Sequence, residues 1–301
     1  MIKKKILIFG GSGLVGSKFL QINSNHFDID APDSTLVDIT DDNQVLSFID
    51  QKDPEVVINF AAFTDVEQAE EQKDDKEGLA YELNAIGAKN VAEACQSLGK
   101  HLIHISTEYV FDGEKEDSPY TEEDQPSPIN WYGKTKYFGE QFVKNSGCSY
   151  TIVRLSMPYS AYYEQRVDIA RFFLNKLREK KQIQAVQNQN ITPTLTDDIA
   201  KALSVIVDKQ SVGIYHVASL SYTTPFDFAK LIAHTFNLDT SLIKLIPLKE
   251  YHQRKTAKLL KNSWLSPANF ESKFGKGILQ TVEEDIKLFK QIIDSTGPNQ
   301  L

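Results

Sequence analysis

The feature that most constrains the fold is a glycine-rich turn directly after the first apolar run of the chain. The run is KILIF at residues 5–9, and the turn is GGSGLVG at residues 10–16. A short, continuously apolar run is typical of a parallel strand that is buried on both faces. Gly10 permits a tight turn, Gly13 permits close approach of a pyrophosphate to the backbone, and Gly16 permits close packing of a helix. The turn therefore predicts a strand, a phosphate-binding loop and a helix in that order.

The helix is expected to begin at the end of this turn. Leu14, Val15, Phe19 and Leu20 recur at helical spacing. The N-terminus of such a helix presents free N–H groups and the positive end of its dipole, which favours bound phosphate. The spacing Gly-x-x-Gly-x-x-Gly is looser than Gly-x-Gly-x-x-Gly, so a plain strand-to-helix turn remains the alternative. In this context the pattern predicts a site for the pyrophosphate of a dinucleotide.

Strand-like and helix-like segments alternate through the first half of the chain. The alternation predicts an α/β fold with a doubly wound parallel sheet and right-handed crossovers. After residue 155 the pattern loosens, which predicts a smaller C-terminal substrate-binding lobe. We expect a dinucleotide-binding domain at 1–155, with returning segments near 192–217, and a mainly substrate-binding lobe at 156–301 that is interleaved with it. Strands are expected at 27–31, 56–60, 102–105, 150–155, 213–217 and 245–248. Helices are expected at 75–98, 168–181, 197–207, 225–236 and 282–293, among others. Thr196 or Asp197 is expected to cap the helix at 197–207.

Acidic residues lie on and just after the second expected strand. They are Asp28, Asp30 and Asp33, with no arginine nearby. A carboxylate at this place in a dinucleotide-binding fold bonds the adenosine ribose, whereas an arginine accommodates a 2′-phosphate. The segment therefore favours NADH over NADPH, and acids of a solvated turn are the alternative explanation.

Small residues follow the third expected strand. Ala61, Ala62 and Phe63 come directly after it, and small residues at the carboxyl end of a parallel strand allow a ligand to approach closely. Asn84 interrupts the apolar pattern of the helix that follows. Asparagine is a poor helix former, and a tolerated polar residue explains it as well as a functional one.

Tyr132 and Lys136 lie one helical turn apart, downstream of a strand that ends in Ser106 and Thr107. A cation beside a phenol lowers its pKa toward the range in which a general acid is useful. A hydroxyl from Thr107 or Ser106 can hold the same substrate oxygen. The set predicts proton transfer to or from an alcohol or carbonyl oxygen, although Tyr-x-x-x-Lys by itself is common on ordinary helices.

Charge and cysteine content bound the other classes of function. The 301 residues carry a net charge of −8, which argues against a nucleic-acid partner. Cys95 and Cys148 give no disulfide framework, and neither they nor the scattered histidines have metal-ligand spacing. No apolar stretch is long enough to be a membrane span, and the first one is too short for a signal peptide. We therefore expect a cytoplasmic protein without a metal site or a membrane partner, and the sequence leaves a homodimer open.

Eight segments occur in a characteristic order along the chain. They are residues 10–16, VDITD at 37–41, AAFTD at 61–65, Asn84, ISTEYVFDG at 105–113, Tyr132 with Lys136, 193–198 and 213–216. Together they resemble the extended short-chain dehydrogenase/reductases, and among them the dTDP-4-dehydrorhamnose reductase family. The resemblance covers most of the chain and implies a Rossmann-type sheet that binds NADH or NADPH. It also implies reduction of a nucleotide-linked 4-keto-6-deoxy sugar, most closely dTDP-4-dehydro-L-rhamnose to dTDP-L-rhamnose.

The family's roles carry over to matching positions. Tyr132 would protonate the sugar C4 oxygen, Lys136 would tune it and bind the nicotinamide ribose, and Thr107 would hold the reacting oxygen. The resemblance assigns cofactor contacts to Gly10, Gly13, Leu14, Val15, Gly16, Asp38, Ile39, Ala61, Ala62 and Phe63, with Tyr132 and Lys136, and substrate contacts to Ser106, Glu108, Met157 and Asn262.

Three positions depart from the family's pattern. Met157 stands where a tryptophan usually packs against the sugar, Leu259 where an arginine usually meets the nucleotide phosphates, and Glu108 where an aspartate is usual. Lys258 or Lys261 can replace that arginine only as a point charge and not as a fork. The departures concern the substrate and leave the redox residues intact.

Two other functions are compatible with the same motifs. A nucleotide-sugar epimerase or dehydratase would hold its cofactor tightly without net consumption, but Glu108-Tyr109 has one acid where dehydratases usually carry a pair. A non-catalytic regulatory subunit, similar to the beta subunit of methionine adenosyltransferase, would explain the missing tryptophan and arginine. The retained Thr107, Tyr132 and Lys136 argue against that reading.

Overall fold

A six-stranded, fully parallel sheet forms the centre of the computed structural model, which describes residues 3–296. Two further pairs of short strands lie outside it. The strands are Lys5–Phe9 (β1), Asp28–Asp30 (β2), Val56–Asn59 (β3), His101–Thr107 (β4), Ser149–Leu155 (β5), Pro158–Tyr159 (β6), Ile183–Val186 (β7), Thr194–Leu195 (β8), Gly213–Val217 (β9) and Ile243–Ile246 (β10).

Helices follow most strands, as a doubly wound sheet requires. They are Leu14–Asn23 (α1), Asp42–Lys52 (α2), Val66–Glu71 (α3), Leu79–Tyr81 (α4), Ala88–Ser97 (α5), Trp131–Asn145 (α6), Ile169–Arg178 (α7), Thr196–Lys209 (α8), Pro225–Thr235 (α9), Leu248–His252 (α10), Ala268–Phe274 (α11) and Val282–Thr296 (α12). A π-helical turn, Glu82–Gly87, joins α4 to α5, and 3₁₀ turns lie at Glu108–Val110 and Thr240–Leu242.

The predicted α/β, Rossmann-type, doubly wound parallel sheet is confirmed, with strand order β2-β1-β3-β4-β5-β9. Side chains of a strand alternate between the two faces. Ile6 and Ile8 accordingly join a core with α1 and α8, whereas Leu7 and Phe9 join a second core with α2 and α5. Burial on both faces explains why this strand reads as an unbroken apolar run.

The order of the strands creates a crevice at the carboxyl ends of β1 and β3. The chain leaves β1 for the outer strand β2 and then crosses back to β3 on the other side of β1. In open α/β sheets, ligands bind at this kind of reversal. The glycine turn after β1 and the Ala61–Phe63 segment after β3 therefore meet at one place.

The second half of the chain builds a smaller set of elements beside the sheet. β7 pairs with β10, and β6 pairs with β8. Helices α7, α9 and α12 share an apolar core that contains Phe173, Phe228 and Phe289. Between α8 and α9 the chain returns to the large sheet as β9, so the sheet-forming and lobe-forming segments alternate along the sequence.

Two helix predictions need correction. The helix expected from residue 75 begins at Leu79 and contains the π-helical turn, because the residues after Glu71 are occupied in turns. The cap expected from Thr196 or Asp197 is absent: the N-cap residue is Leu195, and its N–H is bound instead by Asp285 of α12 (3.4 Å). A partner from a distant helix cannot be read from local sequence.

Between residues 3 and 296, no helix combines the length and the apolar character that a bilayer span requires.

Candidate active site

The glycine turn is packed so closely that side chains are excluded from two of its positions. Gly10 has a φ of +75°, and a Cβ there would lie 2.4 Å from the backbone nitrogen of Ala61. A Cβ on Gly16 would lie 2.5 Å from the Gly10 carbonyl oxygen. The turn after β1 therefore contacts the segment after β3 at Gly10. At Gly16, α1 packs directly against the same turn.

The start of α1 fits a pyrophosphate. Gly13 is the N-cap residue and provides no side-chain cap, and the first helical bond runs from Ser17 N–H to the Gly13 carbonyl (2.8 Å). The N–H groups of Leu14 and Val15 precede that bond and lack partners within the helix. A Cβ on Gly13 would meet only the Gly10 oxygen, at 3.4 Å, so the outer side of the turn is open. Anions bind well at such a helix end.

The loop expected to lie beside an adenine is held by its own side chains. Asp38 accepts hydrogen bonds from the Thr40 N–H (2.9 Å) and hydroxyl (2.8 Å). The Ile39 carbonyl accepts a bond from Asn90 Nδ2 (3.0 Å), and the Ile39 side chain fills the space above Gly87. The loop is thus fixed next to the cofactor crevice.

The carboxylates that favoured NADH are largely engaged within the protein. Asp30 pairs with Lys52 of α2 (2.9 Å), and Asp33 accepts the N–H groups of Thr35 (2.9 Å) and Leu36 (3.0 Å). The ammonium of Lys52 therefore lies beside the acid that would meet a ribose. The sequence contains no arginine here, but the fold supplies a cation from a helix, which weakens the argument for NADH.

Asn84 links the segment after β3 to α6. Its Oδ1 accepts the Phe63 N–H (2.8 Å), and its Nδ2 donates to the Phe63 carbonyl (3.0 Å) and to Thr135 Oγ1 (2.9 Å). The Thr135 hydroxyl in turn donates to the Tyr132 carbonyl (2.9 Å). Asn84 lies in the π-helical turn, and its position inside an apolar helix pattern was the only sequence signal for this role.

Thr107, Glu108 and Tyr132 come together at the carboxyl end of β4. The Thr107 hydroxyl donates to Glu108 Oε2 (2.7 Å) and accepts the Tyr109 N–H (3.3 Å). The Tyr132 phenol lies close enough to Thr107 for a hydrogen bond between them to influence its pKa. Gly133 makes this approach feasible, because a Cβ there would lie 2.1 Å from the Tyr109 carbonyl oxygen.

The expected lowering of the Tyr132 pKa by Lys136 is wrong for the unliganded protein. Burial and then the Glu108 carboxylate raise the pKa of the phenol, and the cation that opposes this rise is Arg166. The Lys136 ammonium instead donates to the Ile105 carbonyl (2.8 Å), and burial lowers its pKa to about 8. One helical turn fixes the spacing of the two groups, but burial decides their protonation.

Ser106 lies on the other side of β4 from Thr107, as alternation along a strand requires. Its hydroxyl donates to Glu140 Oε1 (2.7 Å), and Glu140 forms a two-pronged ion pair with Arg154 (2.8 and 2.7 Å). All three side chains are buried. The structure therefore brings Ser106 to a buried ion pair and not to Tyr132.

The other expected substrate residues lie in two segments near Glu108. Met157 adopts a left-handed φ of +40°, and its backbone N–H bonds the Glu108 carboxyl. Asn262 is buried, accepts a bond from Asn190 (2.9 Å) and has an amide nitrogen without a protein partner. Lys261 is paired with Glu116, which leaves Lys258, an exposed residue, as the freer cation of the two.

A loop that the sequence did not single out crosses the mouth of the crevice. The Tyr163 hydroxyl donates to the Ser12 carbonyl in the glycine turn (3.3 Å). Arg166 lies 3.3 Å from the Thr64 hydroxyl, after β3. Arg166 thus supplies a positive charge near Tyr132. Among residues 3–296, no cluster of three or more His, Cys, Asp or Glu side chains is arranged to hold a metal ion.

Comparisons with known proteins agree with this geometry. A family model described as RmlD substrate binding domain matches residues 4–293. The crystal structure of dTDP-4-dehydrorhamnose reductase from Bacillus anthracis in complex with NADP superposes with a TM-score of 0.88 and 33% identity, covering 97% of this chain and 100% of that one.

Curated relatives include both an enzyme and a subunit. The dTDP-4-dehydrorhamnose reductase of Mycolicibacterium smegmatis is 33% identical over 246 residues, which cover 81% of this chain and 73% of the relative. The beta subunit of methionine adenosyltransferase 2 from Rattus norvegicus is 30% identical over 257 residues, covering 81% and 75%.

Proposed function

The chain belongs to the RmlD family, with which it matches over residues 4–293, and we propose that it is an NAD(P)H-dependent reductase of a nucleotide-linked 4-keto-6-deoxy sugar. The substrate that the family implies is dTDP-4-dehydro-L-rhamnose, which would be reduced to dTDP-L-rhamnose. The observation that carries the proposal is the meeting of Thr107 and Tyr132 at the end of β4, in a fold whose glycine turn fits a pyrophosphate.

The residues divide the work of the reaction between them. A bound nicotinamide cofactor supplies the hydride. Tyr132 donates its proton to the C4 oxygen of the sugar as negative charge develops there, and Thr107 holds the same oxygen. The raised pKa of Tyr132 suits this direction, because the phenol keeps its proton until the substrate oxygen becomes basic.

The cofactor would lie along the residues that the resemblance assigns to it. The free N–H groups of Leu14 and Val15 would hold the pyrophosphate, with Asp38 and Ile39 near the adenine. Ala61, Ala62 and Phe63 would line the middle of the cofactor, and Lys136 would meet the nicotinamide ribose. Glu108, Met157 and Asn262 would face the sugar nucleotide.

The domain boundaries, the location in the cell and the partners belong to the same proposal. Residues 1–155, with the returning segments near 192–217, would form the cofactor domain, and 156–301 would form most of the substrate lobe. The protein would work in the cytoplasm without a nucleic-acid partner, and a homodimer stays open.

The test is an assay of reduced-nicotinamide absorbance with NADPH or NADH and dTDP-4-dehydro-L-rhamnose. We expect one cofactor oxidised per sugar reduced, and a loss of about 10²–10⁴-fold in kcat for Tyr132→Phe. Tyr137→Phe, on the same helix, is the matched control and should remain active. Undiminished turnover of Tyr132→Phe would remove the phenol from the mechanism.

The same assay separates the alternatives. An epimerase would convert the sugar without consuming cofactor, and a regulatory subunit would bind cofactor without turning over any keto sugar. Because Met157 and Leu259 replace residues that usually meet the substrate, UDP- and GDP-linked keto sugars should be compared with the dTDP-linked one. A preference for either would change the nucleotide and leave the reaction class intact.

A further inference from the structure

Glu108 is buried beside the reacting groups without a cationic partner. It is 3% exposed, and the groups that influence its ionisation are burial, the Thr107 hydroxyl and the backbone N–H groups of Glu108 itself and Met157. Two phenols, Tyr109 and Tyr132, face its charge from neighbouring elements, and that charge raises the pKa of each. An ionised carboxylate is costly in such surroundings.

Because Thr107 has a single hydroxyl proton, the protonation state of Glu108 determines which acceptor receives that proton. A hydroxyl has one proton to donate and two lone pairs. With Glu108 ionised, the Thr107 proton is used on Glu108 Oε2 (2.7 Å), and one lone pair accepts the Tyr109 N–H (3.3 Å). The remaining lone pair can only accept, so Thr107 then has no proton to offer a substrate oxygen.

With Glu108 neutral, the bond between Thr107 and Glu108 can reverse, while the Tyr109 N–H still donates to Thr107. The carboxyl proton is donated to Thr107, whose own proton becomes free for the substrate oxygen. Thr107 and Glu108, without moving, thus present either one hydroxyl proton or none to the sugar oxygen.

We propose that Glu108 is a positioning residue whose neutral form leaves the Thr107 hydroxyl proton free for the reacting oxygen, and whose ionised form takes that proton for itself. The proposal rests on the proposed reductase function for its kinetic consequence, but the state of the carboxyl itself does not. No covalent step is added, because the proton that reaches the sugar still comes from Tyr132.

The kinetic test compares wild type, Glu108→Gln and Glu108→Asp. Burial raises the pKa of Glu108 to about 7, so wild-type kcat/KM should fall with rising pH above that value, approaching tenfold per pH unit. The glutamine amide can donate to Thr107 at every pH, so Glu108→Gln should stay active and lose this fall. Any decline in kcat/KM that remains in Glu108→Gln would follow deprotonation of Lys136, whose pKa burial lowers to about 8. Glu108→Asp retains a carboxyl and should retain a fall.

The second test uses unliganded protein and needs no substrate. Infrared difference spectra between about pH 6 and about pH 8.5 should contain a carboxylic-acid carbonyl band in wild type that Glu108→Gln lacks. Subtracting the two proteins isolates Glu108 from other buried acids. NADPH binding and thermal unfolding of each variant establish that it is folded.

The outcomes separate this proposal from the proposed function. Absence of the Glu108 band, an unchanged pH fall in Glu108→Gln, or a folded and cofactor-binding Glu108→Gln that is inactive at every pH would overturn the positioning role. Absence of keto-sugar reduction in wild type would overturn the reductase function instead, and the infrared result would still decide the protonation of Glu108.

Discussion

At the scale of single residues, the oxygen of Thr107 is the centre of the candidate site. It bonds Glu108 and Tyr109 and lies within reach of the Tyr132 phenol. A valine at this position keeps the shape and removes the hydroxyl. We expect Thr107→Val to lower kcat by about 10²–10³-fold, because a donor to the developing oxyanion is lost. Thr107→Ser should retain most of the activity, and equal losses in the two variants would instead indicate that packing of the Thr107 methyl group matters.

Asn84 and Asn90 offer a comparison of two buried amides with different targets. Asn84 bonds both backbone groups of Phe63 and the Thr135 hydroxyl, whereas Asn90 bonds the carbonyls of Ile39 (3.0 Å) and Thr40 (3.0 Å). Each alanine variant should lose about 1–3 kcal/mol of unfolding free energy, because buried partners are left unsatisfied.

The kinetic effects of the two asparagine substitutions should differ. Asn84→Ala should mainly lower kcat, because it loosens α6 and Tyr132, and Asn90→Ala should mainly raise the KM for cofactor, because it loosens the loop at Ile39. Steady-state kinetics with denaturant unfolding measure both effects. A uniform loss of stability with unchanged kinetic constants would assign both amides to stability alone.

At the scale of elements, one buried ion pair joins α6 to the two strands behind it. Glu140 of α6 binds Arg154 of β5 through two bonds and accepts the hydroxyl of Ser106 on β4. Glu140→Gln should lower the free energy of unfolding by about 3–5 kcal/mol, because it leaves the guanidinium buried without a counter-charge. Replacing both partners, as in Glu140→Gln with Arg154→Met, should recover part of that loss in urea unfolding. A double variant less stable than the single one would show that Arg154 has other essential partners.

The elements were predictable where the sequence signal is local. The apolar run of β1, the glycines of the turn and the helical spacing after it all lie within sixteen residues, and they predicted the strand, turn and helix that the structure contains. The position of Tyr132 relative to Thr107 followed from the family resemblance. The π-helical turn around Asn84 and the bond from the Leu195 N–H to Asp285 at the start of α8 were missed, because each depends on a partner distant in the chain. The predicted direction of the Tyr132 pKa shift was wrong because it considered only Lys136 on the same helix. Burial by the surrounding chain has the larger effect on that pKa.

At the scale of the whole molecule, the joint between the sheet and the C-terminal lobe contains two buried carboxyl groups. Asp198 lies in the first turn of α8, which packs on α1 against the sheet, and Asp285 lies on α12 in the core of the lobe. Among the described residues, Asp198 Oδ2 and Asp285 Oδ1 are buried without a hydrogen-bond partner, whereas Asp198 Oδ1 pairs with Lys201 (3.0 Å). Burial raises the pKa of both carboxyl groups. We therefore predict that Asp285 keeps a proton beside Asp198, so that one shared proton links the two halves of the protein.

This shared proton makes the stability of the whole molecule depend on pH. Burial and then the Asp198 charge raise the pKa of Asp285 from 3.8 to about 8. A group that binds its proton more tightly when folded contributes stability that is complete below the unfolded pKa and declines as pH rises toward the folded one. The free energy of unfolding should therefore fall between about pH 4 and about pH 8, by at most about 1.4 kcal/mol per pH unit from this group. Asp285→Asn keeps a donor to Asp198 and removes the titration, so its stability should decline less over the same range. Asp294→Asn changes an exposed position on the same helix, and the pH dependence of its stability should follow that of wild type. Stability is measured by urea unfolding at each pH. Parallel pH curves for wild type and Asp285→Asn would rule out the shared proton.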